Sequence, residues 1–122
     1  MFDVTADIAR AQALAEILCG AAQIDGELDP DEAVAVDAEL KSLLKLDALP
    51  PDLQRHVRSF NRTRFDMVDT LMRLRLNDLT HKKALMRSVR TIIKADAIMR
   101  DVERDYFARL AQTLRMAPSD ID

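Results

Sequence analysis

Glycine is nearly absent from this chain: two residues in 122, beside one cysteine, two histidines, no tryptophan and five other aromatic residues. Each shortage closes off a class of chemistry. The lone Cys19 cannot form an internal disulfide, and one Cys with two His is too few for a Cys/His zinc site. Within its apolar helical pattern Cys19 reads instead as a small buried hydrophobe. There is no glycine-rich phosphate loop and no Gly-x-Ser-x-Gly elbow. His56 and His81 stand among basic neighbours with no Ser or Cys nucleophile at a suggestive spacing, so no enzyme active site is expected. Long apolar runs are missing too. The longest are cut by Glu16, Asp25 or Arg90, far short of the roughly 20 apolar residues of a membrane-spanning helix, and no membrane insertion is expected. The start, MFDVTADIAR, lacks the basic-then-apolar order of a secretion signal, which makes the cytoplasm the expected location.

What remains is rich in Ala, Leu, Arg, Asp and Met, the composition of a helix bundle, with no credible strand pair. The balance of 48% hydrophobic and 32% charged residues is that of a globular chain, and residues 1–122 are long enough for one core. Apolar spacing predicts a first helix from about Thr5 to Ile24, with Ile8, Ala11, Ala15, Leu18 and Ala22 along one face and Gly26 just beyond its end. Asp29 as N-cap, Pro30 at the first helical position and Glu32 closing a capping box open a second helix that continues to about Leu46. After Pro50-Pro51, a short helix is expected from Asp52 to Phe60, a fourth from Arg64 to Leu76 capped by Thr63, a fifth from Thr80 to Ala95 and a sixth from Val102 to Met116. Met67, Met72, Met86 and Met99 fit helical core positions.

Charge is divided along the chain. Residues 1–53 hold 3 Lys/Arg against 12 Asp/Glu, residues 54–94 hold 11 against 3, and residues 95–122 hold 4 against 6. At one offset the chain also matches itself: Asp25 meets Asp96 and Glu32 meets Glu103, each pair 71 positions apart. Ala13-Leu14 meets Ala84-Leu85, Leu43 meets Leu114, and Leu28 and Val36 meet apolar Met99 and Phe107. Each unit reads as helix, acidic turn, helix. One such hairpin cannot bury its apolar stripe alone, so two of them, at about 5–46 and 80–116, are expected to pack about a pseudo-twofold axis in an all-α bundle of about six helices.

The segments AQIDGELDPDEAVAVDAELKSLL and IKADAIMRDVERDYFARLAQTLRM resemble the TerB-like family, which includes helical domains fused to some membrane-anchored J-domain co-chaperones. The family's mark is a doubled Ala-Asp-Gly, a nearby apolar residue and then Glu. The resemblance covers nearly the whole chain and implies an all-helical fold, association with tellurite and other chemical stress, and divalent-cation binding through clustered acids. By motif position it implies Asp25, Glu32, Asp96 and Glu103 as the recurring acids. The chain departs from the pattern at Ile24 in the first unit, and at Ala97, Ile98 and Arg100 in the second, where Ile98 and Arg100 stand opposite Glu27 and Asp29. The second turn thereby loses two oxygen ligands, so the first is expected to lead.

Calcium and magnesium need several oxygens converging in a small space, and Asp25, Glu27, Asp29, Asp31 and Glu32 supply carboxylates enough. They do not form an EF-hand, because glycine holds the second loop position instead of the sixth and no Glu holds the twelfth. A purely structural reading stands beside the metal one: capping accounts for Asp29 and Glu32, the helix dipole favours acids in a first turn, and Asp25 can bond turn amides. The candidate ligands are thus Asp25, Glu27, Asp29, Glu32, Asp96 and Glu103, with calcium or magnesium as the ion. A metal-independent adaptor that docks other proteins through the charge-divided surface is the alternative. RHVRSFNRTRF, which interleaves Arg55, Arg58, Arg62 and Arg64 with Phe60 and Phe65, carries no recognised nucleic-acid motif and reads as a solvated face or as charge neutralisation within the fold.

Overall fold

The computed structural model describes residues 8–23, 30–60, 64–76, 78–93 and 101–116, with backbone alone at 8–9, 30–32 and 101–103. Among these residues six α-helices follow one another and no strand occurs: α1 (Ile8–Ala22), α2 (Pro30–Leu44), α3 (Pro51–Arg58), α4 (Met67–Leu74), α5 (Leu79–Ile93) and α6 (Asp101–Thr113). The all-α architecture expected from composition is the one observed.

The bundle is organised around α1. Ala13, Leu14, Ala15, Ile17, Leu18 and Cys19 are all fully buried. At about 100° per residue these positions point around most of the helix, which is the pattern of a helix enclosed on nearly all sides. α2, α3, α4 and α5 all touch it, and Tyr106 of α6 reaches it as well. The single apolar face expected for the first helix was therefore too narrow. α2, α3 and α4 each bury one stripe against this centre, Val36, Leu40, Leu43 and Leu44 from α2, Leu53 and Val57 from α3, and Met67, Leu71 and Leu74 from α4, while α6, which packs on α5 and α4, buries Leu110 and Ala111.

Helices α1 and α5 begin 71 positions apart and end 71 positions apart, and α2 and α6 begin 71 positions apart. Each of the seven buried residues of α5, Ala84, Leu85, Met86, Ser88, Val89, Ile92 and Ile93, has a buried counterpart in α1 71 positions earlier.

Helix ends follow local chemistry. Pro30 and Pro51 stand at first helical positions, where a missing N–H costs nothing. The fourth helix starts at Met67, three residues later than Arg64, because the Asp66 carboxylate accepts from the Asp69 amide at 3.1 Å and Phe65 is drawn into ring contacts. Thr63, the expected cap, lies outside the described residues. With glycine so scarce, left-handed C-terminal positions fall to Lys45 (φ 55°), Arg75 (φ 53°) and Arg115 (φ 58°). After Lys45 and Arg115 the chain closes with six-residue bonds, from Leu46 N–H to Lys41 C=O at 2.9 Å and from Met116 N–H to Ala111 C=O at 3.0 Å. No helix among the described residues is long and apolar enough to cross a membrane.

Candidate functional site

Of the six candidate ligands, Asp25, Glu27, Asp29 and Asp96 lie outside the described residues, as do the side chains of Glu32 and Glu103. Their place on the backbone is nevertheless informative. Glu32 is the third residue of α2 and Glu103 the third of α6. Both thus sit in first turns, where unpaired amides and the helix dipole favour carboxylates. Among the described residues no group of three or more His, Cys, Asp and Glu side chains converges on a metal-sized space.

The described residues do fix the framework around segment 24–29, which holds three acids, and segment 94–100, where Asp96 stands between Lys94 and Arg100. The Tyr106 hydroxyl of α6 donates to the Ile17 carbonyl of α1 at 2.7 Å. Gly20 makes this approach feasible, since a Cβ there would stand 2.7 Å from that hydroxyl and 3.1 Å from Phe65 Cε2. Phe65 stacks on Tyr106 with centroids 6.4 Å apart and meets Phe60 at 5.6 Å. Burial pushes the Tyr106 phenol far above its ordinary range, with the neighbouring Cys19 adding to the shift, so it stays a neutral donor. Five residues of helix, about 8 Å, separate Ile17 from the end of α1, and another five separate Tyr106 from the start of α6. One junction therefore anchors both the helix that leads into segment 24–29 and the helix that leaves segment 94–100.

A second polar centre was not foreseen from sequence. Glu16, 16% exposed, takes a two-pronged contact from Arg73, with Nη1 to Oε2 at 3.1 Å and Nη2 to Oε1 at 2.9 Å, and a third from His56 Nε2 at 3.1 Å. Arg73 also donates to Asp69 at 3.3 Å and to the Thr70 hydroxyl at 3.2 Å. Burial pushes the Glu16 carboxyl up, but the hydrogen bonds from Arg73 and His56 outweigh it and hold the group below its ordinary 4.5. The cluster ties α1, α3 and α4 together through charges. Its only sequence signal was an isolated acid interrupting an apolar helix, in a chain whose middle third is rich in cations.

The cation-rich stretch is itself spoken for in part. Arg55 pairs with Asp52, and Phe60 and Phe65 pack against the core and each other instead of standing out from the surface. Cys19 is fully buried, and burial, reinforced by Asp37 and Glu16, pushes its thiol up to about 12, as the sequence reading of a structural cysteine requires. Met67 and Met86 are buried as expected, whereas Met72 is 70% exposed on the outer face of α4, and Met99 lies outside the described residues.

No curated protein and no solved structure matches the chain. A family model described as tellurite resistance protein TerB matches residues 11–122, all but the first ten. Because that match begins within α1 and runs through the other five helices and both segments, 24–29 and 94–100, instead of a single hairpin, the chain belongs to the TerB family of tellurite-resistance proteins.

Proposed function

We propose that this TerB-family chain is a non-catalytic stress-associated module that binds one divalent cation, calcium or magnesium, through carboxylates in and beside segments 24–29 and 94–100. Asp25, Glu27, Asp29 and Glu32 supply most of the oxygens and Asp96 and Glu103 complete the set. The observation that carries the reading is the Tyr106–Ile17 hydrogen bond, which joins the helix entering the first segment to the helix leaving the second. The common 71-residue spacing of helix boundaries and buried positions supports it, since equivalent hairpins would present equivalent turns. Hard cations favour such carboxylate and carbonyl donors. Tellurite is itself an oxyanion and would be repelled by the same carboxylates, so the ligand assigned to these turns is a cation.

The test is thermal unfolding of the wild type, of Asp25→Asn with Glu32→Gln, and of Asp96→Asn with Glu103→Gln, each with calcium, magnesium or chelator. A cation at a hundred times its dissociation constant stabilises the native state by about 2.7 kcal/mol. The wild type is expected to melt higher with cation, the first pair to lose the shift, and the second pair to lose part of it. Equal melting temperatures across all samples would remove the cation site and leave the metal-independent adaptor reading.

A further inference from the structure

Sulfur is unevenly exposed in this chain. Cys19 is fully buried and its thiol is pushed up to about 12, so it offers no thiolate near neutral pH. Met67, Met86 and Met116 are 5%, 3% and 8% exposed, whereas Met72 is 70% exposed on the outer side of α4. Among the described residues Met72 is therefore the one sulfur that a solute reaches without any opening of the fold; Met1 and Met99 lie outside them. Its surroundings carry a sign. Met72 lines a groove of about 700 Å³ with Val68, Leu71 and Leu76, and the charged residues that line it, among those described, are all cations: Arg75, Lys82 and Arg115. The nearest acid along the helix is Asp69, three positions earlier, which accepts from Arg73 at 3.3 Å. A small anion arriving from solvent therefore meets a favourable field at the sulfur.

We propose that Met72 is a reversible oxidation site, at which peroxide-class oxidants, anionic ones above all, convert the thioether to the sulfoxide while the fold stays intact. The step is a two-electron oxygen transfer. With peroxymonosulfate the sulfur lone pair takes the terminal peroxide oxygen and the O–O bond breaks; sulfur is oxidised, and the peroxide is reduced and leaves as hydrogen sulfate. With hydrogen peroxide, water leaves instead. Two properties of the site give the product a consequence. A sulfoxide oxygen accepts hydrogen bonds far better than a thioether, so oxidation turns an apolar wall of the groove polar beside three side chains that only donate. Because the side chain already stands in water, the added oxygen displaces no core contact, and the sulfoxide stays within reach of the reductases that reverse it. Oxidation of Met67 or Met86 would instead put a polar group into the core. The site uses none of the candidate cation ligands, so its test is independent of the cation reading.

The test treats the full chain with hydrogen peroxide or with peroxymonosulfate. Fragmentation mass spectrometry places the added oxygens, since Met67 and Met72 share the tryptic peptide 65–73. Met72 should gain oxygen roughly tenfold or more faster than Met67, Met86 and Met116, which react only after local opening. Protein oxidised at Met72 alone should keep the far-UV circular dichroism and melting temperature of the untreated chain. Methionine sulfoxide reductases for both epimers, with dithiothreitol as reductant, should then return its original mass. Raising salt from about 50 mM to about 500 mM, or Lys82→Glu, should slow the peroxymonosulfate reaction at Met72 by roughly twofold or more and leave the hydrogen peroxide reaction unchanged. Met72→Leu, which keeps the apolar surface, should remove the fast phase altogether. Met72 reacting no faster than the buried methionines, a fold lost with the oxygen on Met72, a sulfoxide that the reductases cannot reach in the folded protein, or a peroxymonosulfate rate indifferent to both salt and charge would each overturn the proposal.

Discussion

Replacing Gly20 with alanine should destabilise this protein although the residue lies inside a helix. In an ordinary helix interior alanine is favoured over glycine by about 1 kcal/mol. Here the added Cβ would stand 2.7 Å from the Tyr106 hydroxyl and 3.1 Å from Phe65, so the ring must retreat and its hydrogen bond to Ile17 is lost. Overpacking of this kind costs about 1–3 kcal/mol, and the lost hydrogen bond about 1 kcal/mol more. Subtracting the propensity gain leaves a net loss of about 1–3 kcal/mol, a fall in melting temperature on the order of 4–12 °C for a chain this size. Chemical and thermal denaturation followed by far-UV circular dichroism measure it directly. In a Tyr106→Phe background the hydroxyl is absent, so the cost of Gly20→Ala should shrink by about 1 kcal/mol, the signature of coupled neighbours. A Gly20→Ala protein more stable than wild type by the ordinary propensity gain would refute the close packing of α6 on α1.

Glu16→Gln should cost about 1–2 kcal/mol at neutral pH, less than a fully buried pair because Arg73 is 40% exposed. The Glu16 carboxyl is held below its ordinary 4.5, so its contribution is fully present above that value and disappears as pH falls through the folded-state pKa; urea melts of both proteins should differ at pH 7 and converge in strong acid. The Cys19 thiol, pushed up to about 12 and fully buried, should resist iodoacetamide in the native protein and react on unfolding in urea, as mass spectrometry would show. Lys45→Gly, Arg75→Gly and Arg115→Gly each replace a side chain held at positive φ. Relief of about 1–2 kcal/mol of left-handed strain, set against about 0.5–1 kcal/mol of added chain entropy, should leave each variant slightly more stable in denaturant titrations.

The helical architecture was legible because its signals are local. Pro30, the Pro50-Pro51 break and the apolar spacings of the second and fifth helices report backbone preference and burial directly. Errors arose where a third element decides the outcome. Whether α1 is buried on one side or nearly all round depends on how many helices surround it, which its own periodicity does not encode. The start of α4 shifted because Phe65 is claimed by Phe60 and Tyr106, a contact spanning 41 positions on one side. The Glu16 cluster needed three helices to meet, so no window along the chain could display it. Met72 had the spacing of a core residue, but it faces outward on a helix whose inner stripe was already filled by Met67, Leu71 and Leu74. The acids of segments 24–29 and 94–100 lie outside the described residues, and of the six candidate ligands only Glu32 and Glu103 have a described backbone, at equivalent first-turn positions of α2 and α6.

Manganese can stand in for calcium or magnesium at an oxygen-donor site, and its paramagnetism broadens nearby amide signals. Titrating Mn²⁺ into the labelled protein should broaden amides of segments 24–29 and 94–100 together, saturating at one ion per chain and reversing with excess magnesium or calcium. Broadening confined to one segment, or spread evenly over surface carboxylates without saturation, would contradict a cation held jointly by the two segments.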